Sequence, residues 1–347
     1  QETGGEGYAL AMGIGSGSLI DALISRTRLH IVAIDRDASK VDSLRRRMTA
    51  AGLYGIRVSA LAADPTSFPF PPYFANVLVS EDPVQNGLLT DDAIAACYRS
   101  LRPYGGAAVW RLSTDEHARL ESTVRRIQLP GTNVRQRDGL SWLVREGALP
   151  GSDDWTHQYA NAAQTVTSRD ELVKAPLGLL WFGGASHQGV LPRHGHGPSP
   201  QVAGGRVVIE GADMLRAVDV YTGRVLWEIS LPGLGAFYDN TSHQPGAGEV
   251  GSNYVTLADR IYVAYGPKLL ELDARTGEQL RQFQPQGAMD DSPNWGYLGV
   301  SGDYLVATCS PVALGESSPS SEPLDGDTRY ESLIARHDTW RYLAGSD

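Results

Sequence analysis

The 347-residue sequence is long enough for two ordinary domains, because single domains commonly contain about 100–200 residues. Its formal net charge of −10 repels a polyanion, so we predict no nucleic-acid partner. No apolar run approaches the ~20 residues of a transmembrane helix, and the first residues lack the basic and apolar regions of a signal peptide, so we predict no membrane span.

In the first part of the chain, apolar strand-like runs alternate with amphipathic helical stretches. The predicted strands are Tyr8–Met12, His30–Ile34, Val58–Ala62, Asn76–Val79 and Gly106–Trp110. The predicted helices are Leu19–Arg26, Ala38–Ala51 and Asp91–Leu101, in which apolar residues recur at three- and four-residue spacing. This alternation predicts an α/β domain with a doubly wound sheet over residues 1–148.

A glycine-rich segment joins the first strand to the first helix. Ala11–Leu19 reads AMGIGSGSL, and its evenly spaced glycines allow a tight turn and a close approach of a ligand to the main chain. Asp35 ends the second strand about 20 residues later, where a carboxylate can accept both hydroxyls of an adenosine ribose. Asp64 follows the third strand, and Glu81 and Asp82 follow the fourth. Acidic groups therefore gather at the carboxyl ends of the strands, where open α/β sheets bind ligands.

Together these motifs resemble the class I S-adenosylmethionine (SAM) methyltransferases. The resemblance covers residues 8 to about 145 and includes GxGxG, AIDRD, AAD, NVLVSED and YRSLRPYGGAAVW. It implies a Rossmann-like sheet, methyltransferase activity and SAM as the cofactor, with Val134–Val144 as a reversed hairpin that completes the sheet. In that family the glycine loop holds the methionine part of SAM, the strand-two acid binds the ribose, and the acid after strand three approaches the adenine amino group. The implied cofactor-binding residues are Gly13, Gly15, Gly17, Asp35 and Asp64.

One position departs from the family pattern. The family usually has Asp or Glu two residues before the first glycine, where it helps to hold the amino-acid end of SAM, and this chain has Ala11. A nicotinamide dinucleotide is the competing cofactor, but Ser18 stands where GxGxxG requires glycine, which favours SAM. Glu81 and Asp82 are the catalytic candidates by position. The alternative is that they only form a solvated turn after the strand, since methyl transfer mainly needs alignment of the nucleophile and requires no unique catalytic residue.

After the first domain, helical periodicity gives way to short β-rich runs separated by Gly and Pro. Beyond a linker at Gly147–Asp153, the segments Gly205–Trp227 and Asp259–Arg281 repeat one pattern: a strand, a second strand ending in Asp, a Thr-Gly turn and a third strand. A third partial copy begins at Asp303 and continues in Glu331–Asp338. Units of ~40–50 residues are typical of propeller blades. We therefore predict an all-β partial propeller over residues 149–347, with about three to four blades.

This second module resembles the quinoprotein (PQQ-like) propellers over roughly residues 152 to 347. The matching opening residues are Trp155, Asn161 and Thr165, with Leu180 and Trp181 in the expected first strand. The resemblance implies PQQ as a cofactor, for which no ligand residue can be assigned, or a protein partner on a propeller face. Trp181 and Trp227 are interpreted as blade-packing residues. Because a closed ring needs ~4–8 blades, further blades are expected outside these ends.

Two further patterns bear on metals and partners. Histidines cluster at His187, His194 and His196, with His243 later; an HxH pair in a strand could bind a transition metal. Flanking Gly and Pro favour a loop, and a ligand set needs a third group, so we predict no metal site. The aromatic and polar segments at 236–240 and 293–297 are expected in inter-blade loops, which commonly bind partners.

The two resemblances imply different compartments. A working methyltransferase would be cytoplasmic, whereas a quinoprotein would be periplasmic, and the separated Cys97 and Cys309 predict neither a disulfide framework nor a metal site. The main hypothesis is a SAM-dependent methyltransferase domain with a propeller as its substrate or partner platform. The alternative is a PQQ-like oxidoreductase, or a non-catalytic propeller scaffold that carries a degenerate nucleotide-binding domain. The methyl acceptor is not predicted.

Overall fold

The computed structural model describes residues 6–191, 197–236, 251–284, 295–309 and 343–344. The chain divides into two compact units, Gln1–Ser152 with Val173–Phe182 and Asp153–Leu172 with Gly183–Asp347. Among the described residues, no helix combines the length and the apolar character needed to cross a membrane.

The first unit is a seven-stranded mixed sheet with four helices among its described residues. The strands are β1 (Tyr8–Met12), β2 (His30–Asp35), β3 (Val58–Ala62), β4 (Val77–Val79), β5 (Gly106–Trp110), β6 (Thr132–Arg137) and β7 (Leu140–Arg145). The helices are α1 (Ser18–Arg26), α2 (Ala38–Ala50), α3 (Asp91–Ser100) and α4 (Thr114–Ile127). The strand order is β3-β2-β1-β4-β5-β7-β6, with β7 antiparallel to both of its neighbours. The chain reverses its direction of winding between β1 and β4, which is where ligands bind in open α/β sheets.

Apolar cores cover both faces of this sheet. Ala9 and Ala11 of β1 enter the core formed with α1 and α2, whereas Leu10 and Met12 enter the core formed with α3 and α4. Alternate residues of a strand point to opposite faces, so a strand covered on both faces has a continuous apolar sequence. The predicted doubly wound α/β sheet is confirmed, and the predicted strands and helices of this unit agree with the structure within one or two residues.

The reversed hairpin is present, and α4 is a helix that the sequence patterns had not identified. Between β6 and β7, Asp138 and Gly139 have φ values of 53° and 73°, as a two-residue hairpin turn requires. At the start of α4, the Ser113 hydroxyl accepts from the Glu116 N–H, and the Glu116 carboxylate accepts from the Ser113 N–H at 2.7 Å. This reciprocal capping box was readable in the sequence as Ser followed three residues later by Glu.

Arg145 of β7 closes the carboxyl end of α3. Its Nη1 donates to the carbonyl oxygens of Tyr98 and Leu101 at 3.1 and 3.2 Å. Its guanidinium lies 4.5 Å from the ring centroid of Tyr98 and 4.8 Å from that of Tyr73. A cation is favoured at a helix carboxyl terminus, and this one is buried.

Replacing this side chain tests how much the contact stabilises the first unit. We expect Arg145→Met to lower the free energy of unfolding by roughly 2–4 kcal/mol, because buried carbonyl groups lose a charged donor. Urea unfolding followed by far-ultraviolet circular dichroism measures the change. The control is Arg99→Met on the exposed side of α3, for which we expect less than about 0.5 kcal/mol. Equal losses in the two variants would rule out a special role for Arg145.

The second unit is built from antiparallel sheets. The first sheet contains β8 (Gln201–Ala203), β9 (Arg206–Gly211), β10 (Met214–Asp219) and β11 (Val225–Ser230) in sequential order. The second contains β12 (Tyr254–Thr256), β13 (Arg260–Tyr265), β14 (Lys268–Asp273) and β15 (Gln279–Phe283). The third contains β16 (Trp295–Ser301), β17 (Tyr304–Cys309) and β18 (Leu343–Ala344). The described part of this unit is therefore all-β, as predicted.

The first two sheets repeat one plan. The strands predicted from the repeat are β9 to β11 in the first sheet and β13 to β15 in the second. Each sheet also begins with a short strand, β8 or β12, that had not been predicted. The carboxylates of Asp219 and Asp273 accept from the N–H groups of Tyr221 and Arg275 at 2.9 and 2.7 Å, and the Gly of each Thr-Gly turn has a φ of 69° or 75°. The repeated Asp and Gly thus form the turns, which explains their repetition mechanically.

The first two sheets also contact each other. The Trp227 indole Nε1 donates to the Ala274 carbonyl oxygen at 3.0 Å, and a Cβ added to Gly277 would lie 2.8 Å from the indole ring. Trp227 is buried, so its predicted packing role is confirmed. The predicted strand at Leu180 and Trp181 is wrong, because these residues lie in an exposed irregular segment that groups with the first unit. A short apolar run forms a strand only where a neighbouring strand pairs with it.

Candidate cofactor site

The glycine loop runs from the end of β1 to the start of α1. Gly13, Gly15 and Gly17 have φ values of 87°, 55° and 83°, a region that side chains other than glycine rarely adopt. The Gly13 N–H donates to the Ile34 carbonyl oxygen at 2.8 Å, which ties the loop to β2. Gly17 is the N-cap of α1 and has no side chain, so the first N–H groups of α1 need acceptors from elsewhere.

Asp35, at the end of β2, faces this loop. Its Oδ2 accepts from the Ile14 N–H at 2.8 Å, and its Oδ1 accepts from the Asp37 N–H at 2.8 Å. The residue is 8% exposed. A carboxylate has about four acceptor positions, so these two bonds leave capacity for hydroxyl donors. The structure therefore brings the predicted strand-two acid and the glycine loop together.

Asp64, after β3, is paired with a cation that the sequence patterns had not singled out. The Arg36 guanidinium donates to Asp64 Oδ1 at 2.7 Å, and the Thr66 N–H and hydroxyl each donate to the same oxygen at 2.8 Å. The hydrogen bond from Arg36 is the main reason why the pKa of Asp64 is lowered to about 2. Asp64 is thus an anchored, ionised carboxylate beside the residues that follow Asp35.

Glu81, after β4, reaches across to the glycine loop. Its Oε2 accepts from the Ser16 N–H at 2.7 Å, and its Oε1 accepts from the Leu19 N–H at 3.1 Å. The hydroxyls of Ser16 and Ser18 donate to Oε1 at 3.2 and 3.3 Å. Partial burial raises the pKa of Glu81, but these hydrogen bonds outweigh it and the net pKa is lowered. Glu81 therefore supplies the acceptors that the N-cap glycine of α1 lacks.

Asp82 stays in the turn after β4, where its Oδ1 accepts from the Gln85 N–H at 2.9 Å. Asn86 instead points to the loop: its Nδ2 donates to the Ser80 hydroxyl at 3.0 Å and to the Met12 carbonyl at 3.2 Å. Of the two acidic candidates, the structure thus brings Glu81 to the loop and leaves Asp82 in its own turn.

Side chains of the chain itself lie over all three glycines. Added Cβ atoms at 13, 15 and 17 would lie 2.2 Å from Asn86 Nδ2, 2.3 Å from Glu81 Oε2 and 2.9 Å from Arg47 Nη2. Asn86, Ser80, Arg36 and Arg47 had not been identified from the sequence. For Asn86 and Ser80, the only signal in the sequence was the polar stretch that follows the buried strand β4.

A cavity of about 300 Å³ lies elsewhere in the first unit. Its lining includes Tyr104, Arg135, Trp142 and Glu146. These residues surround the amino end of β5, whereas the glycine loop follows the carboxyl end of β1, which runs parallel to β5 within the sheet. The cavity is therefore separate from the candidate site.

Several predictions on metals and partners fall partly outside the described residues. In the described ranges, no three His, Cys, Asp or Glu side chains are grouped to hold a metal ion. His194, His196 and His243 lie outside the described residues, as do 237–240 and 331–338. Residues 295–297, expected in an inter-blade loop, belong to strand β16. Cys97 is a free thiol of α3 whose burial raises its pKa to about 12.

Comparison with known proteins points to one family for the first unit. Residues 9–105 match the family model described as a methyltransferase domain, so the first unit contains such a domain. No curated protein matches the chain.

Several of the similar solved structures are methyltransferases, all of low sequence identity. A candidate SAM-dependent methyltransferase from Methanococcus maripaludis is 17% identical, with 42% of this chain and 78% of that chain covered and a TM-score of 0.37. A SAM-dependent methyltransferase from Aquifex aeolicus is 13% identical, with 41% and 83% covered and a TM-score of 0.34. Geranyl diphosphate methyltransferase in complex with SAM is 20% identical, with 31% and 42% covered and a TM-score of 0.29.

Proposed function

We propose that the first unit binds SAM and transfers its methyl group, and that the second unit is a propeller-like platform for the methyl acceptor or a protein partner. The observation that carries the proposal is the match of residues 9–105 to a methyltransferase domain. Within this range lie the glycine loop and Asp35, which adjoin through the hydrogen bond from the Ile14 N–H.

The geometry suggests a division of roles among the acidic residues. Asp35 would accept the ribose hydroxyls, because its carboxylate faces the loop and keeps spare acceptor positions. Asp64, held by Arg36, would approach the adenine amino group. SAM supplies an activated methyl group on its sulfonium, so the protein mainly has to align the acceptor with that carbon. No side chain is therefore assigned as a base, and Glu81 and Asp82 remain candidates by position only.

Three contacts support a propeller-like arrangement of the second unit. The first strands of the three sheets are neighbours in series, since β8 contacts β12 and β12 contacts β16. The two complete sheets have the same four-stranded order, and Trp227 bridges them through Ala274. Sheets repeated around a central set of leading strands are typical of propellers. No residue in the described part of this unit supports PQQ, so the quinoprotein alternative is not proposed.

Calorimetric titration of SAM into the full chain tests the cofactor proposal. We expect the wild type to bind SAM. Asp35→Asn should bind SAM about tenfold or more weakly, because Asn keeps the shape of the Asp side chain but removes the charged acceptor for the ribose hydroxyls. Asp42→Asn removes an exposed carboxylate of α2 and serves as the control with unchanged affinity. The absence of binding heat with both SAM and S-adenosylhomocysteine would refute the proposal.

A further inference from the structure

Donors at the start of α1 converge on one carboxylate. The N–H groups of Ser16 and Leu19 and the Ser18 hydroxyl donate to Glu81 at 2.7–3.3 Å, and the Ser16 hydroxyl, which also donates to Ser18 Oγ at 2.8 Å, lies 3.2 Å from Glu81 Oε1. The Leu19 N–H is one that an N-cap side chain would satisfy, and Gly17 has none, so this end of α1 offers its donors to an anion. Glu81 thus occupies the anion position of the glycine loop.

The space over the loop is filled as well as its donors. Gly15 has a φ of 55°, and an added Cβ there would lie 2.3 Å from Glu81 Oε2 and 2.8 Å from Glu81 Cδ. A ligand atom in contact with the Gly15 α-carbon would need the same volume. A ligand therefore reaches this part of the main chain only when the Glu81 side chain has moved.

Glu81 can move without disturbing the sheet. Its neighbour Ser80 is 5% exposed, and the Ser80 hydroxyl donates to the Met12 carbonyl oxygen at 2.6 Å, which fixes the backbone beside Glu81 to the end of β1. The hydrogen bonds of Glu81 with Ser16 and Ser18 are solvent-exposed, so water can replace them when the side chain changes rotamer. The movement requires side-chain torsions only.

We propose that Glu81 is a built-in competitor for the carboxylate of the methionine part of SAM. The inference rests on the proposed SAM-binding function. It adds a closed state, in which the Glu81 side chain covers the glycine loop. Two carboxylates cannot share the same donors, because they repel each other and the donors can satisfy one at a time. SAM binding therefore displaces Glu81, and the affinity for SAM is reduced in proportion to the small fraction of molecules in which Glu81 has swung away.

Removing the competitor should raise the affinity. A capping carboxylate at a helix N-terminus is worth roughly a 5- to 30-fold preference for the closed state. We expect Glu81→Ala to bind SAM more tightly by that factor in calorimetric titrations of the full chain, and Glu81→Gln to show a smaller gain. Glu121→Gln on α4, where the carboxylate pairs with Arg125, is the control for the loss of one carboxylate and should bind like the wild type.

A second ligand separates competition from a general loosening of the site. 5′-Methylthioadenosine keeps the nucleoside and the methyl-bearing sulfur, as a neutral thioether, but lacks the amino-acid end, so its affinity should be the same in wild type and Glu81→Ala. A gain for SAM alone supports the inference. An equal gain for both ligands, or none for either, overturns it while leaving SAM binding intact.

Two other outcomes are informative. Weaker SAM binding by Glu81→Ala would overturn the competition. Glu81 would then be a positioning residue for the amino group of SAM, in the role of the acid that the family usually has at the position of Ala11. Ala11 itself is buried in the core with α1 and α2, so it does not contribute a polar group to the loop. If neither ligand binds to any variant, the proposed function fails and the competitor role falls with it.

Discussion

Replacing Trp227 with alanine is expected to lower the free energy of unfolding of the second unit by about 3–5 kcal/mol. The indole is buried between two sheets, covers Gly277 and donates to the Ala274 carbonyl oxygen. The substitution removes a large apolar contact, leaves a cavity and deprives a buried carbonyl of its donor. Few single changes in this unit should cost as much.

Urea unfolding followed by far-ultraviolet circular dichroism measures this loss. The matched control is Val225→Ala on the same strand, because Val225 is 37% exposed and should contribute less than about 1 kcal/mol. A Trp227→Phe variant keeps most of the apolar area and lacks the indole donor, so we expect an intermediate loss. If the two alanine variants lose the same stability, the contact between the sheets is not important.

Glu210→Gln should remove a large pH dependence from the stability of the second unit. Glu210 lies on β9 and is 2% exposed, so its carboxylate is withdrawn from water. Burial raises its pKa to about 8, and the nearby Asn253 amide, which favours the ionised form, offsets only part of this. The folded protein therefore keeps Glu210 neutral at neutral pH.

The sign follows from the two pKa values of this group. The unfolded chain loses the proton near 4.5 and the folded chain near 8, so stability falls as the pH rises between these values, by up to about 1.4 kcal/mol per pH unit. His157 has the opposite effect at lower pH, because burial lowers its pKa from 6.5 to about 4. Above about pH 7 His157 is largely neutral in both the folded and the unfolded state, so Glu210 dominates over His157 there.

Melting temperatures between about pH 7 and pH 9 therefore give the clearest test. The wild type should lose stability up to about pH 8, whereas Glu210→Gln should change little over that range and exceed the wild type at pH 9. Glu278→Gln, at an exposed turn, should keep the wild-type slope. Parallel curves for wild type and Glu210→Gln would show that Glu210 ionises normally in the folded state.

The sequence was most informative where one physical rule decided the structure. A sheet covered on both faces needs continuous apolar strands, so β1 and β5 were predicted with correct bounds. The repeat was visible because its Asp and Gly residues have a local role in the turns. Helix α4 was missed although Ser113 and Glu116 mark its start, because its apolar residues, Leu120 and Val124 among them, are few. Local signals thus predicted most elements.

The site was predictable only in part. The glycine loop and Asp35 follow from their positions at strand ends, but the contact of Glu81 with the loop joins residues more than 60 positions apart. Nothing in the sequence distinguishes Glu81, which crosses to α1, from its neighbour Asp82, which stays in a turn. Glu210 likewise has the pattern of an ordinary strand residue, and only the packing of the second unit buries it.

The hydrogen bond from Trp227 to Ala274 sets the smallest piece of the second unit that should fold independently. A polypeptide ending after β11 would keep four paired strands but would leave a bare indole in water, with no following sheet to cover it. Such arrays derive much of their stability from interfaces between neighbours, so cooperativity should appear only when two consecutive sheets are expressed together. Unfolding of either sheet would then propagate to the other.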